Sequence, residues 1–380
     1  MLTYAQSLLI RGLLCFSLLL PGALAVQAQG GEDSTQHSLE LDGYLDAYYA
    51  RYGREPASEL ASFVTVGPRD ANFGLNIAML TATYTGPRVR ADVGVQAGDI
   101  VQATWSPNFP AIQRAYVGYR VGEGLWVDGG FFVTHIGMES FLPREDFLSR
   151  KAFATFNEPY FQSGIRLSSE REDSPWTYQL WLIGGQNAFV DNNRSKSGGV
   201  LVQYRPAKRT TLSFSGIYGN EAPSGSPQAR FLAVQNAYWI QEWAGGWATK
   251  LALTYGRQTN SRFERVDEGA DVYDGILTLH YPIGEHWGAT ARAEYYNDAL
   301  GGIFSGAAAQ EDGTLIGLEA SAFTLGLSYE PFDDAYVRLE SRYVAAPAGS
   351  VHFASVRGLE DRRFELLVTA GYSLQQVFRW

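Results

Sequence analysis

The sequence predicts an all-β fold: a transmembrane antiparallel β-barrel of about 16 strands, within a range of about 14–18. Three observations predict it. From Phe364 to Trp380 every second residue is Phe364, Leu366, Val368, Ala370, Tyr372, Leu374, Gln376, Phe378 and Trp380, and all but Gln376 suit lipid. Along the chain, short turns alternate with long connections. Rings are abundant, with Tyr 22, Trp 9 and Phe 21 making up 14% of the chain, yet mean hydropathy is only −0.16. A period of two gives one apolar and one mixed face. In a soluble protein an apolar edge of that length invites aggregation unless something closes on it. Two interfacial girdles account for the rings.

Residues 1–28 read as a signal peptide. Arg11 precedes the apolar run Gly12 to Leu20, then Pro21-Gly22 and two small-residue patterns, Ala23-Leu24-Ala25 and Val26-Gln27-Ala28. Cleavage is expected after Ala25 or Ala28, and the run is too short to span a bilayer. Cys15, the only cysteine, follows Leu14 rather than the small residue that lipidation needs. Residues 29–380 are then a single domain without a thiol, excluding disulfides and thiolate metal sites. Removing 1–28 takes away one Arg and no acid, so the formal charge of −10 becomes −11. That balance leaves no nucleic-acid footprint and suits hydrated, acidic surface loops.

Strands are expected to start near 39, 73, 89, 112, 125, 161, 177, 197, 210, 231, 247, 273, 287, 318, 335 and 364. Val89, Ala91, Val93, Val95 and Ala97 oppose Arg90, Asp92, Gly94 and Gln96; Val337 and Leu339 oppose Arg338, Glu340 and Arg342. In a barrel the apolar face meets lipid and the charged face meets the lumen. Short turns fall at Gly86-Pro87-Arg88, Gly122-Glu123-Gly124, around Ser174-Pro175, Pro206 to Arg209, Gly245-Gly246, Pro282 to His286 and Pro331 to Asp334. Their Gly and Pro are turn chemistry. Long connections run near 53–72, 99–111, 135–160, 186–196, 219–229, 258–272, 297–315 and 345–363. This asymmetry is that of an outer-membrane barrel, short turns in the periplasm; an even strand count puts both termini there too. Tyr204, Trp243, Trp247, Tyr281, Trp287, Tyr329 and Tyr336 bracket the short turns as a periplasmic aromatic belt would.

Several stretches resemble the putative β-barrel porin family of bacterial outer-membrane proteins: Gly43-Tyr44-Leu45-Asp46-Ala47-Tyr48-Tyr49, Phe73 to Ala78, and Val89 to Asp92 leading to Gln96-Ala97-Gly98. The most specific are Ala115-Tyr116-Val117-Gly118, Leu125 to Gly130, His135 to Ser140 and Pro159 to Gly164. The resemblance covers about residues 39–205 and implies pore activity in the outer membrane, with no catalytic residues to carry over. Porin-type chains also end on Phe or Trp as a signal read by the barrel assembly machinery, which singles out Phe378 and Trp380.

Residues 135–160, the third long connection, are too rich in Phe, Leu, Ile and Met for a purely solvated loop. In many porins the third external loop folds into the lumen. The expected constriction sets loop acids Glu139, Glu145 and Asp146 against wall arginines Arg90, Arg114, Arg166, Arg292, Arg338 and Arg342, whose fixed charges orient polar solutes. The bland reading is scattered lumen charges that satisfy one another. The same charge changes in the 297–315 loop are expected to do much less. Nine basic and nine acidic inward residues (Arg90, Arg114, Arg120, Arg166, Arg205, Lys250, Arg292, Arg338, Arg342; Glu40, Asp42, Asp46, Asp92, Asp128, Asp274, Glu294, Glu330, Glu340) argue against a strongly charge-dedicated pore.

Enzymatic readings fare poorly. No G-x-S-x-G, H-E-x-x-H or phosphate loop occurs. His352 near Ser350 and Ser355 is a chance-level signal, and acids at Asp267-Glu268-Asp271 or Glu311-Asp312 read as solvated loop charge. No cofactor or metal is expected. The expected function is passive diffusion of small hydrophilic solutes through the bacterial outer membrane; the alternatives are a substrate-selective channel and a plugged surface hydrolase or adhesin. Expected partners are outer-membrane lipid and lipopolysaccharide, the assembly machinery, small polar solutes and two further copies in a homotrimer, with no nucleic acid.

Overall fold

A computed structural model describes residues 36–171, 173–309, 313–347 and 353–380. The expected signal peptide, Glu311-Asp312, Ser350 and His352 lie outside them. In chain order the strands are β1 (Ser38–Tyr52), β2 (Asn72–Thr85), β3 (Val89–Ala97), β4 (Ile112–Gly122), β5 (Leu125–Val133), β6 (Phe161–Ser169), β7 (Trp176–Ile183), β8 (Ser197–Ala207), β9 (Thr210–Asn220) and β10 (Phe231–Glu242). There follow β11 (Ala248–Gln258), β12 (Ala270–Ile283), β13 (Trp287–Asn297), β14 (Ala308–Ala309), β15 (Leu315–Ile316), β16 (Glu319–Phe332), β17 (Ala335–Ala345), β18 (Phe353–Ser355), β19 (Gly358–Glu360) and β20 (Arg362–Arg379).

Sixteen of these close into one antiparallel barrel, each pairing with its sequence neighbours; β14–β15 and β18–β19 are small hairpins within long connections. β1 meets β20 from Ser38↔Arg379 to Tyr52↔Glu365, so no barrel edge is left unpaired. Every barrel strand begins within three positions of its expected start. β12 starts earliest relative to expectation, because Ala270 and Asp271 continue the ladder opposite Gln258 and Arg257. The short turns gather at one end of the barrel with both termini of the closed sheet, and the long connections at the other. Among the described residues no helix is long and apolar enough to cross a membrane.

Alternation sorts the side chains. On β17, Val337, Leu339 and Tyr343 are exposed outward while Arg338, Glu340 and Arg342 are buried inward. Two inward tyrosines lie flat across glycine on the adjacent strand, Tyr48 over Gly74 and Tyr336 over Gly371. A Cβ at either glycine would stand 2.3 or 2.4 Å from the ring, so only glycine fits. Outward-facing rings stack near the short turns, Trp176 on Tyr204 at 4.2 Å and Trp243 on Trp247 at 4.9 Å.

The interior is not simply a charged water channel. Trp105, Phe141, Tyr160, Phe161 and Phe189, drawn largely from long connections, form one buried aromatic cluster with Tyr44 and Tyr48. Phe153 joins wall residues Val272, Ile276 and Tyr296 in a second. Ile303 and Phe304 pack against it too, so part of the 297–315 connection also turns inward. Asp298 folds it inward, accepting from the backbone N–H groups of Ile303, Phe304 and Ser305 at 2.8–2.9 Å.

Candidate functional site

Arg90, Arg114 and Arg166 sit on β3, β4 and β6 with side chains inward, and carboxylates of the same wall hold them. Asp128 on β5 is fully buried between two of them. Arg90 donates to both of its oxygens at 2.7 Å, and Arg166 reaches Oδ2 at 2.9 Å. Arg90 also donates to Glu170 at 2.6 Å, and Arg114 to Asp92 at 2.6 Å. The Arg166 guanidinium lies 5.0–5.2 Å from the ring centres of Tyr116, Phe132 and Trp181. Bidentate pairing and ring stacking both fix a guanidinium in place. Arg114 and Arg166 keep 25% and 14% of their side-chain surface open.

The opposite wall carries Arg292, Arg338 and Arg342, and residues 139–153 lie against it. Glu139 accepts from Arg292 at 2.7 Å, from Ala152 N–H at 2.9 Å and from the Thr155 hydroxyl at 2.7 Å. Asp146 pairs with Lys151 at 2.8 Å and with Lys250 of β11 at 3.0 Å. Arg338 donates to the Pro143 carbonyl at 2.8 Å, while Arg342 pairs with Glu294 at 2.9 Å. The other Glu294 oxygen accepts from Phe153 N–H at 2.7 Å. Arg144 forks onto Asp42 of β1 at 2.7 and 3.0 Å, and Arg150 pairs with Glu365 of β20 at 3.2 Å. Phe147 stacks on the His280 ring at 3.9 Å.

Electrostatics follow from this geometry. Burial alone pushes the Glu139 and Asp146 carboxyls up. The Arg292 guanidinium beside Glu139, and the Lys151 and Lys250 ammonium groups beside Asp146, outweigh it and hold both below the usual carboxylate range. Glu145 differs: it is the last residue of a short 3₁₀ turn, Pro143–Glu145, is exposed, and makes no ion pair among the described residues. Of the three expected loop acids, two are therefore tethers and one faces open space. His135 is pushed down to about 4 by burial. Its ring nitrogens lie 2.8 Å from Gln162 Nε2 and 3.1 Å from the Gly216 carbonyl, which the neutral Nε2–H tautomer satisfies.

The structure brings Glu139 to Arg292 and the 143–149 stretch to Arg338. It does not bring Arg90, Arg114 or Arg166 to any loop acid. The sequence marks Lys250, Asp42, Glu294 and Glu340 as inward but not as partners of the loop, and it leaves Glu365 unmarked. Its parity opposite Phe364 on the last strand was the available signal. Phe378 and Trp380 are 46% and 63% exposed on the outer face, where Trp380 exchanges backbone hydrogen bonds with His37 at 2.9 and 3.1 Å. No cluster of His, Cys, Asp and Glu able to hold a metal occurs among the described residues.

No curated protein matches the chain. Solved structures do. The outer membrane channel DcaP of Acinetobacter baumannii superposes with a TM-score of 0.59 at 10% identity, covering 91% of this chain and 100% of that one. An anion-selective porin from Comamonas acidovorans gives 0.57 at 13% identity, covering 89% and 100%. The trimer form of OmpT, an outer membrane protein of Vibrio cholerae, gives 0.53 at 11% identity, covering 89% and 99%. Identities this low speak for the fold, a closed porin-type barrel. The family model described as "Putative beta-barrel porin-2, OmpL-like" matches residues 38–373, from the first barrel strand well into the last, and the chain belongs to that family.

Proposed function

We propose that this porin is a passive diffusion channel for small hydrophilic solutes, with both termini in the periplasm and residues 135–160 narrowing its bore. The observation that carries the reading is the seating of residues 139–153 on one wall by ion pairs to Asp42, Lys250, Arg292 and Glu365. Arg114 and Arg166, on a wall those pairs do not touch, keep part of their surface open. A narrowed passage with Glu145 on the loop side and guanidinium groups on the other sorts solutes by size and charge. The reading needs no catalytic group, and buried His135 serves the fold. A homotrimer fits the family and the trimer form of the Vibrio cholerae relative; outer-membrane lipid, lipopolysaccharide and the assembly machinery complete the partners. Deleting residues 141–149 tests the constriction. Single-channel conductance in planar bilayers is expected to rise severalfold, and an unchanged conductance would refute it.

A further inference from the structure

The junction between residues 135–160 and the wall is acid against base almost everywhere, with one exception. Glu158, at the end of the segment, is buried and has no cationic partner among the described residues. Its Oε1 is 3.4 Å from the Thr254 hydroxyl on β11. Its Oε2 lies across the bare Cα of Gly137, where a Cβ would stand 2.3 Å away, so both ends of the segment meet at this carboxyl. Thr254 stands directly opposite Asp274 on β12 in the β11–β12 ladder. Asp274 is also buried; among the described residues it forms no ion pair and its Oδ1 has no hydrogen-bond partner. Asn236 Nδ2 already donates to Thr254 Oγ1 at 2.9 Å, which leaves that hydroxyl one proton to offer two carboxyl groups.

Every other charged or titratable group around the pair fails to neutralise it. Glu139, on the same segment, and Glu294, on β13, add negative charge. Arg292 is committed to those two acids, and Arg342 to Glu294. Tyr296 on β13 turns its hydroxyl to Asp298 at 3.5 Å, and the Tyr160 hydroxyl bonds Thr65 at 2.8 Å. Two buried carboxylates gathered around one threonine with no base beside them cannot both ionise without a large penalty.

We propose that Glu158 and Asp274 form a proton-dependent latch: a proton held between them fastens the neck of the 135–160 segment to the wall, and its loss frees the neck and changes the bore. Burial, Asp274 and Glu139 together push the Glu158 carboxyl well above its ordinary range, in keeping with a proton retained there. The sign follows from linkage. An acid whose pKa is raised in the folded state fastens best below its ordinary range, and that contribution fades as pH rises toward the raised value. The pair titrates as a unit, so the transition belongs to both residues.

The inference rests on the channel reading for its effect on current but not for the latch itself, and two readouts separate them. The first is amide hydrogen exchange over residues 153–160 of the full-length refolded protein, corrected for the intrinsic pH dependence. Going from about pH 5 to about pH 8.5, exchange is expected to quicken by roughly tenfold or more, the factor for each pKa unit of coupling. Glu158→Gln and Asp274→Asn should each abolish that step; using both guards against one failing to fold, judged by the heat-modifiable band. The second readout is bilayer current, whose closing steps should follow the same pH profile and lose it in the same variants. Exchange that follows pH through Glu158 while current does not would keep the fastening but overturn its effect on the bore, and with it the narrowing by residues 135–160. Exchange indifferent to pH, or equally sensitive in Glu158→Gln, would overturn the latch even if deleting residues 141–149 raised conductance. A response to EDTA at constant pH, with none to pH, would assign the seam to a divalent cation and overturn the proton.

Discussion

Neutralising two acids on one segment should have opposite consequences. Glu139 is 6% exposed in its side chain and its partner Arg292 is 0%, with 2.7 Å between them. Removing one member of such a buried pair costs about 3–5 kcal/mol, because the other charge stays uncompensated. In Glu139→Gln the amide can still accept from Ala152 N–H and Thr155, so the lower part of that range applies. Even that is enough to unseat a segment held by a handful of contacts. Unit conductance should rise and current noise with it, with ion preference changing only through the wider bore. Glu145 is exposed, so Glu145→Gln leaves the seat intact and removes one negative charge from the passage. A unit charge at about 10 Å in water-like surroundings changes local ion concentration by roughly twofold. The permeability ratio should move toward anions by about that factor at unchanged conductance. Planar-bilayer recordings supply both numbers, conductance in symmetric salt and reversal potential in a salt gradient. If Glu139→Gln kept wild-type conductance and shifted selectivity as much as Glu145→Gln, Glu139 would face water rather than Arg292, and the division into tether and lining acid would be wrong.

Further outcomes follow from other parts of the barrel. Glu139 and Asp146 are held below the usual carboxylate range, so the stability they lend is present above it and lost as pH falls through the depressed values; thermal unfolding followed by circular dichroism should show a lower Tm below about pH 4, with a smaller drop in Glu139→Gln. Removing Phe378 to Trp380 should leave exported protein unassembled in the periplasm, read as loss of the heat-modifiable band and gain of protease sensitivity; normal insertion would count against a terminal recognition signal. Epitope tags within 221–229 should be reached by antibody on intact cells and tags at Gly245-Gly246 should not, and the reverse pattern would invert the topology while leaving the barrel.

Much of the fold was legible because its rules are local. Period-two alternation sorted Arg338, Glu340 and Arg342 from Val337 and Leu339, and turn chemistry at Gly86-Pro87-Arg88 or Gly245-Gly246 located the short connections. The inward direction of each wall arginine followed from parity alone. Its partner did not. Asp128 serves Arg90 and Arg166 only because β3, β4, β5 and β6 stand in a particular register, and register is a property of pairs of strands. The apolar content of 135–160 pointed to burial. The 297–315 connection gave a weaker sign, since among its described residues Ile303 and Phe304 are the ones that reach the interior clusters, and both sit in a glycine-rich stretch. The gathering of Glu158 and Asp274 around Thr254 was invisible for a related reason: nothing along the chain marks which acid will be left without a base.

The grip of residues 139–153 has a consequence for timing. Arg144 holds Asp42 on β1 and Arg150 holds Glu365 on β20, while the Ser149 hydroxyl meets Thr369 of β20 at 2.7 Å. Those two strands form the seam where the first strand finds the last. The segment thus straddles the seam from within, like a rivet, although it is made early in the chain and most of its anchors come late. Before β20 arrives Arg150 lacks Glu365 and Ser149 lacks Thr369, so the segment grips only the β1 side of the seam. Once the seam shuts, the segment is held on both of its strands at once. Prising β1 from β20 afterwards means drawing the rivet first, so closure acts as a ratchet.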